Sequence, residues 1–251
     1  DVFVREWEPA LAEKHFPAHL LPTDQLDRLA PTFALFGSGA AAQPFRNAED
    51  YDRFLTRSQD FVVWADTAIE SMRDGARRGI TQPRAVILKV VPQLRELANP
   101  DPEKTVFWNA IRAMPDSISA ADRERITASW RSAVATRIVP TYRWLADFIE
   151  QEYAPAARTS VGWSALPDGA AWYRHLIRKQ TTTDLTAEDI HSLGLAEVAR
   201  IRAEMDAVRQ QVGFSGDLSA FFRHLQEDPK FYFARGEDLL AGYVALKQRI
   251  D

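Results

Sequence analysis

The sequence predicts an all-α protein, a multi-helix bundle of kinked helices, and three observations support this. Apolar residues recur at spacings of three and four along most of the chain. Helix-starting residues such as Asn47, Ser119 and Thr186 precede several of these repeats. No stretch alternates apolar and polar residues as a half-buried strand does, although about a quarter of residues in globular proteins lie in strands.

Two domains of unequal regularity are predicted. Residues 1–46 form an irregular N-terminal segment that wraps over the rest, because prolines as late as Pro31 break any helix there. Residues 47–251 form one continuous helical domain. Its first helix begins at Asn47 and ends before Gly79, and its second contains Pro92, which predicts a kink.

The second half of the chain continues as helices. A long element is predicted to start at Ser119 and to continue, kinked at Pro140, for about 30 residues. A loop then leads to Asp168, which is predicted to cap a helix that ends near Gln180. The helix after Thr186 carries an apolar stripe that is predicted to be its buried edge: Ile190, Gly194, Val198, Ile201, Met205, Val208 and Val212. Two shorter helices complete the chain.

Composition excludes several classes of function. The net charge is −4, so the chain has no cationic surplus to neutralise phosphates, and neither a nucleic-acid partner nor an anionic membrane surface is expected. Cysteine is absent, which excludes disulfides and thiolate chemistry. No apolar run reaches the roughly 20 residues that span a bilayer, so membrane insertion of this chain is not expected. The chain starts at Asp1 rather than Met, which suggests a piece of a longer protein.

The histidines and carboxylates do not form a predicted catalytic or metal site. His15 and His19 have the four-residue spacing of a helical zinc motif, but Pro17 lies between them and no glutamate does. Asp122, Asp168 and Asp189 stand at helix starts, where a negative charge is favoured without any catalytic role. We therefore expect neither a catalytic residue nor a bound metal in this chain.

A ligand pocket is one of two interpretations of the stretch from Trp163 to Lys179. Trp163 and Trp172 lie close in sequence to Tyr173, Arg174, Arg178 and Lys179, and together they could bind an anionic or peptide-like ligand by stacking and charge-assisted hydrogen bonds. The alternative is a packed turn followed by a solvated basic helix face. The other tryptophans considered lie in or beside helical stripes and are expected in the core: Trp64, Trp108, Trp130 and Trp144.

The same stretch carries a family resemblance. G-W-S-A-L-P-D-G-A-A-W-Y-R-H-L-I-R-K-Q-T-T-T-D-L-T, from Gly162, resembles the bacterial domain of unknown function 885 family, a zincin-like, metallopeptidase-like group that includes many envelope lipoproteins. G-I-T-Q-P-R from Gly79 and D-P-K-F-Y-F-A-R-G-E-D-L-L-A-G-Y from Asp228 resemble the same family in order. The resemblance covers about Ala48 to the C-terminus.

This resemblance implies a zinc-dependent hydrolase with a channel between two mainly helical halves. The family's His-Glu-x-x-Pro-Gly-His-His motif does not occur in these 251 residues and would lie beyond Asp251. The chain would then be the amino-terminal helical half, inactive alone, with the carboxy-terminal half and a peptide-like substrate as partners. Zinc is expected only in the complete enzyme, and the family suggests the cell envelope or periplasm.

The resemblance also gives candidate substrate-binding residues but carries over no catalytic one. Residues 162–184 are the predicted channel wall. A stand-alone, non-catalytic helical binding or scaffold domain remains the alternative. The residues of the recognisable stretch that we expect to line the channel are Trp163, Leu166, Pro167, Asp168, Tyr173, Arg178, Thr181 and Thr182.

Overall fold

The computed structural model of the protein describes residues 7, 11–26 and 29–250. The all-α prediction is confirmed, since these residues form helices and turns without a β-strand, apart from an isolated bridge between Pro83 and Arg158. The chain divides into two compact units at residues 183 and 184. The predicted boundary after residue 46 and the single domain beyond it stay predictions.

The first unit is built on two long helical elements. After two 3₁₀ turns, Glu13–His15 and Ala18–Leu20, its helices follow in chain order. They are α1 (Leu29–Gly37), α2 (Ala48–Arg77), α3 (Arg84–Leu97), α4 (Trp108–Arg112), α5 (Ala120–Ala133), α6 (Val139–Phe148), α7 (Ala154–Ala156) and α8 (Gly169–Thr181).

Helix α1 corrects the prediction that prolines prevent any helix in the first 46 residues. It begins at Leu29 and contains Pro31 in its first turn, where no helical hydrogen-bond donor is lost because the first amides of a helix have no partner. Its Phe33 is buried and stacks on Phe61, with ring centroids 4.3 Å apart. This part of the N-terminal segment therefore belongs to the core.

The predicted ends of α2 are confirmed. The Asn47 side chain accepts a hydrogen bond from the Asp50 amide at 3.0 Å. At the other end Gly79 has φ +70°, and the amide of Ile80 donates to the Gly75 carbonyl at 2.8 Å. That bond closes the helix in a left-handed turn of the Schellman type.

The long element runs from Ala120 to Ala156 and includes two π turns, Val134–Ile138 and Ile149–Tyr153. The first π turn directly precedes α6, whose first turn contains Pro140. A proline removes a hydrogen bond and crowds the preceding turn, and a π turn is one way in which a helix accommodates this. Helix α3 continues through Pro92, and the predicted kinks at both prolines stay predictions.

The core of the first unit lies between α2 and the long element. Trp130 is fully buried, stacks on Phe54 at 5.0 Å and donates its indole N–H to the Phe107 carbonyl at 3.1 Å. Tyr51 donates to the Ala110 carbonyl at 2.9 Å, and burial raises its pKa to about 12. The core therefore buries aromatic surface without leaving these polar atoms unpaired.

Trp144 is the exception among the tryptophans expected in the core. Trp108 and Trp130 are buried and Trp64 packs against the core, but Trp144 on α6 is 41% exposed. Its neighbours Tyr142 and Leu145 point inward, so Trp144 lies on the outer side of the helix. The position of Trp144 beside a helical apolar stripe in the sequence did not determine whether its side chain faces the core or the solvent.

The second unit contains α9 (Ala187–Gln211), α10 (Leu218–Glu227) and α11 (Gly236–Ile250). Thr186 and Asp189 form a reciprocal capping box at the start of α9, as predicted. Hydrogen bonds that the Thr186 hydroxyl and amide donate to the Asp189 carboxylate lower the pKa of Asp189. Gly213, with φ +74°, ends this helix.

The apolar stripe of α9 is not a buried edge, and this prediction was wrong. Val198 is 55% exposed and Val212 is 63% exposed. No residue of α9 is buried. The periodicity correctly identified an amphipathic helix, but the other helices of the second unit do not bury its apolar face.

Candidate substrate-binding surface

Arg158 holds the loop that leads into the candidate surface. Its Nε donates to the Thr81 carbonyl at 2.9 Å, and its Nη1 donates to the carbonyls of Ser160 and Gly162 at 2.9 and 2.8 Å. Burial lowers the pKa of Arg158, and the guanidinium is satisfied by carbonyl dipoles instead of a carboxylate. The loop is thereby fixed to the segment before α3.

A tight turn then connects this loop to α8. The amide of Leu166 donates to the Trp163 carbonyl at 3.0 Å, and the amide of Gly169 donates to the Leu166 carbonyl at 2.8 Å. Asp168 occupies the N-cap position, as predicted, but with φ 53° and without a side-chain capping bond. The prediction that its carboxylate caps α8 was therefore wrong. Its left-handed backbone leaves the side chain exposed.

The inner side of this turn is a small apolar cluster. Leu166 is 4% exposed and Trp172 is 2% exposed, and both pack with Leu20. Phe16 stacks on Trp172 with ring centroids 5.6 Å apart, and Trp163 meets the same ring edge-on at 4.7 Å. The inner side of the turn is therefore packed by Trp163, Leu166 and Trp172. For these three residues, this agrees with the packed-turn interpretation.

The outer side carries the other candidate residues. Tyr173 is 43% exposed, and Arg178 projects from the same helix into an exposed position. Arg174, which belongs to the predicted ligand pocket but not to the predicted channel wall, is also exposed and precedes Arg178 by one helical turn. The remaining exposed candidates are Pro167, Asp168, Thr181 and Thr182.

The last turn of α8 is fixed by side-chain bonds. Lys179 Nζ lies 2.7 Å from Glu13 Oε2 in the 3₁₀ turn Glu13–His15. Thr181 Oγ1 donates to the Ile177 carbonyl at 2.9 Å. Thr182 ends the helix with φ 57°, an uncommon conformation for a β-branched residue.

Asp168 and Thr182 are the non-glycine residues with positive φ in the described chain. They bracket α8 on both sides, and both were predicted site residues. Residues held in such conformations cost free energy and cluster at functional sites. The bracketed helix presents cationic and aromatic side chains to solvent, an arrangement that can bind a carboxylate and a neighbouring apolar group.

The described residues offer no obvious place for a metal ion. They contain no group of three or more His, Asp or Glu side chains able to hold one. His15 and His19 fall in two separate 3₁₀ turns, so the helical geometry of a zinc motif does not arise. His175 packs against Phe16, with ring centroids 5.0 Å apart.

The concavities described in the first unit lie away from these residues. One of about 210 Å³ is lined by Arg73, Phe148 and Glu152, among others. Arg73 donates to both Glu152 oxygens at 2.7 and 2.8 Å, and these bonds lower the pKa of Glu152. The guanidinium is thus already engaged by a carboxylate. Sequence reasoning missed this pair because its members are far apart in the chain.

A comparison with protein-family models shows which family the chain belongs to. The model of the family described as "Bacterial protein of unknown function (DUF885)" matches residues 2–251. The chain belongs to this family. The resemblance seen in the sequence is thereby confirmed, and it extends to the N-terminal segment. No curated protein matches the DUF885 chain significantly.

A solved structure shares the fold of this DUF885 chain. It is the crystal structure described as that of "the putative lipoprotein from Colwellia psychrerythraea", with a TM-score of 0.78 and 23% sequence identity. The match covers 88% of this chain but 39% of that protein. The DUF885 chain therefore spans well under half the length of this neighbour. No helix in the described ranges is long and apolar enough to cross a membrane.

Proposed function

We propose that this DUF885 chain is the helical, substrate-channel half of a larger zinc metallopeptidase-like hydrolase. The observation that carries the proposal is the exposed face of α8, where Tyr173 and Arg178 project between two left-handed residues. Such a face suits a peptide-like substrate, because guanidinium groups bind carboxylates through two parallel hydrogen bonds, and Arg174 is exposed on the same helix. Tyr173 adds an apolar surface for a neighbouring side chain.

The chemistry of this hydrolase is assigned to the remainder of the longer polypeptide. Zinc hydrolases need three or more nitrogen or oxygen ligands and a general base. The described residues do not provide such a set, so zinc does not fit among them. The role of this chain is to bind and orient the substrate.

The neighbour's length and description give further support. Its chain is more than twice as long as the part matched, which leaves room for a second half with the metal ligands. Because that protein is described as a lipoprotein, we also propose the cell envelope as the location of this one. The alternative, a stand-alone binding or scaffold domain, is favoured by the lack of a ligand set in the described chain.

The kinetics of peptide hydrolysis by the complete protein test whether Arg178 belongs to the wall of a substrate channel. Arg178→Ala should raise KM for peptides by about tenfold, the effect of losing one charge-assisted contact. The folded state should stay within about 1 kcal/mol of the parent, as for a surface change. Lys89→Ala, which removes an exposed cation from α3, should change neither. If Arg178→Ala greatly lowered the stability and left the kinetics unchanged, Arg178 would have a structural role. The hypothesis that this segment lines a substrate channel would then be rejected.

A further inference from the structure

A second pocket lies within the first unit, apart from the candidate surface on α8. It is formed by α1, the end of α3 and the segment that leads into α4, and its volume is about 310 Å³. Its described lining residues all belong to the first unit. At the opposite end of α3, the amide of Arg84 donates to the Arg158 carbonyl at 2.7 Å. The pocket is therefore separated from the loop before α8 by the length of α3, about 20 Å.

The walls of this pocket are largely apolar. Ala34 is buried, whereas Leu35 is 51% exposed and Val106 is 40% exposed. An apolar ligand would remove these side chains from water, which is favourable. The volume reaches the roughly 300 Å³ at which small-molecule sites begin, and an apolar cavity of roughly 150 Å³ already holds benzene. The apolar lining residues are Pro31, Ala34, Leu35, Leu97 and Val106.

Tight packing fixes the walls relative to one another. A Cβ atom added to Gly37 would stand 2.6 Å from Cε1 of Phe107, so α1 lies directly against that ring. The indole N–H of Trp130 donates to the Phe107 carbonyl at 3.1 Å, and Val106 directly precedes Phe107. A ligand would therefore enter a site that is already formed, and little binding free energy would be lost in ordering the walls.

Asn109 supplies the free hydrogen-bond donor among the side chains that line the pocket. Its Oδ1 accepts from Arg112 Nη1 at 2.9 Å. Because a guanidinium only donates, this bond fixes which amide atom is the oxygen. The Nδ2 group has no acceptor among the residues that the structure describes. Ser38 also lines the pocket, but its hydroxyl already donates to the Leu35 carbonyl at 2.7 Å.

We propose that this pocket binds a small, uncharged aromatic molecule that carries one hydrogen-bond acceptor, such as a carbonyl oxygen. The ring would lie between Leu35 and Val106, and the oxygen would accept from Asn109 Nδ2. None of the described lining residues is charged, so an ionic ligand would lose its hydration there without gaining a partner. The site requires neither zinc nor hydrolysis and is independent of the proposed function.

Acetophenone and toluene are suitable probes, because both contain a monosubstituted benzene ring and only acetophenone has a carbonyl group. Titrations of the complete protein, followed by saturation-transfer difference NMR, give the dissociation constants. Acetophenone should bind with a Kd of about 1 mM, in the range expected for a ligand of this size.

Asn109→Asp tests the polar contact. It removes the amide donor but keeps an oxygen to which Arg112 can donate. The variant should weaken acetophenone binding about tenfold, because the carbonyl loses its donor and meets a second acceptor. Toluene has no acceptor, so its Kd should change by less than about twofold.

Val106→Phe tests the position of the site. The larger side chain would occupy part of the pocket and should weaken the binding of both probes by at least about tenfold. Val63→Phe is the matched control, since Val63 is 65% exposed on α2 and does not line the pocket. Both variants should melt within about 2 °C of the parent, because both valines are partly in solvent.

Three results would overturn the proposal. Acetophenone could show no saturable binding to the parent, as it would if another part of the complete protein covered the pocket. Asn109→Asp could affect both probes equally, or Val106→Phe and Val63→Phe could behave alike. Intact probe binding without peptide hydrolysis would instead reject only the proposed function.

Discussion

Gly169 lies directly against the carbonyl group of Trp163. A Cβ atom added to Gly169 would stand 1.9 Å from the Trp163 oxygen and 3.1 Å from the Ser164 Cα. The first distance is far inside van der Waals contact, so no larger residue fits while the turn keeps its shape. The start of α8, and with it the orientation of Tyr173 and Arg178, depends on this close approach.

Gly169→Ala should therefore destabilise the first unit. We expect a loss of at least about 2 kcal/mol and a fall in Tm of about 4 °C or more, because backbone must move to admit the methyl group. Thermal unfolding followed by circular dichroism measures this. Gly194→Ala is the control, since nothing lies within 4 Å of its added Cβ and α9 should gain about 0.5–1 kcal/mol. Equal effects at the two glycines would refute the argument.

Thr182→Gly should stabilise the protein. Thr182 has φ 57°, a left-handed conformation that costs an ordinary residue about 1–2 kcal/mol and glycine almost nothing. We expect a gain of about 1 kcal/mol in the free energy of unfolding, measured by denaturant titration. Thr56→Gly, in the interior of α2 where the threonine is exposed, should instead lose several tenths to about 1 kcal/mol. A loss of stability at Thr182 would show that its side chain is needed for folding.

Glu152 should make part of the protein's stability depend on pH. Hydrogen bonds from Arg73 lower the pKa of Glu152 below its usual 4.5. The unfolded chain then takes up this proton first, so the stabilisation is complete above the unfolded pKa and is lost as pH falls through the folded pKa. Because the pair is half exposed and screened by water, we expect an effect of about 1–3 °C in Tm.

Glu152→Gln should reduce the fall in Tm between about pH 5 and pH 3. Glu124→Gln, at an exposed position without an ion pair in the described chain, should leave the pH profile unchanged. Melting curves across this range provide the measurement. If Glu152→Gln kept the parent profile, the Arg73 pair would have no influence on acid stability.

Local signals made much of the fold predictable. The caps at Asn47, Ser119 and Thr186 each depend on a hydrogen bond to the residue three positions on, so the sequence contains all that is needed to place them. The stop at Gly79 is equally local, because glycine adopts positive φ without strain.

Contacts between distant residues were not predictable in the same way. Leu166 and Trp172 are buried because Leu20 and Phe16 cover them, and no spacing links residues about 150 positions apart. Periodicity also reports that α9 is amphipathic without saying what covers Val198. The exposed half of the candidate surface, Tyr173 and Arg178, could be predicted because the residue types themselves disfavour burial.

Zinc content and peptide hydrolysis, measured together on the protein encoded by the complete gene and on residues 1–251, test the central claim most directly. We predict one tightly bound zinc per complete molecule and zinc-dependent hydrolysis of peptides, since a hydrolase of this type needs a full ligand set and a general base. Residues 1–251 should bind no stoichiometric zinc and show no hydrolysis. A tightly bound zinc in residues 1–251, or a complete protein with neither zinc nor hydrolysis, would contradict the account.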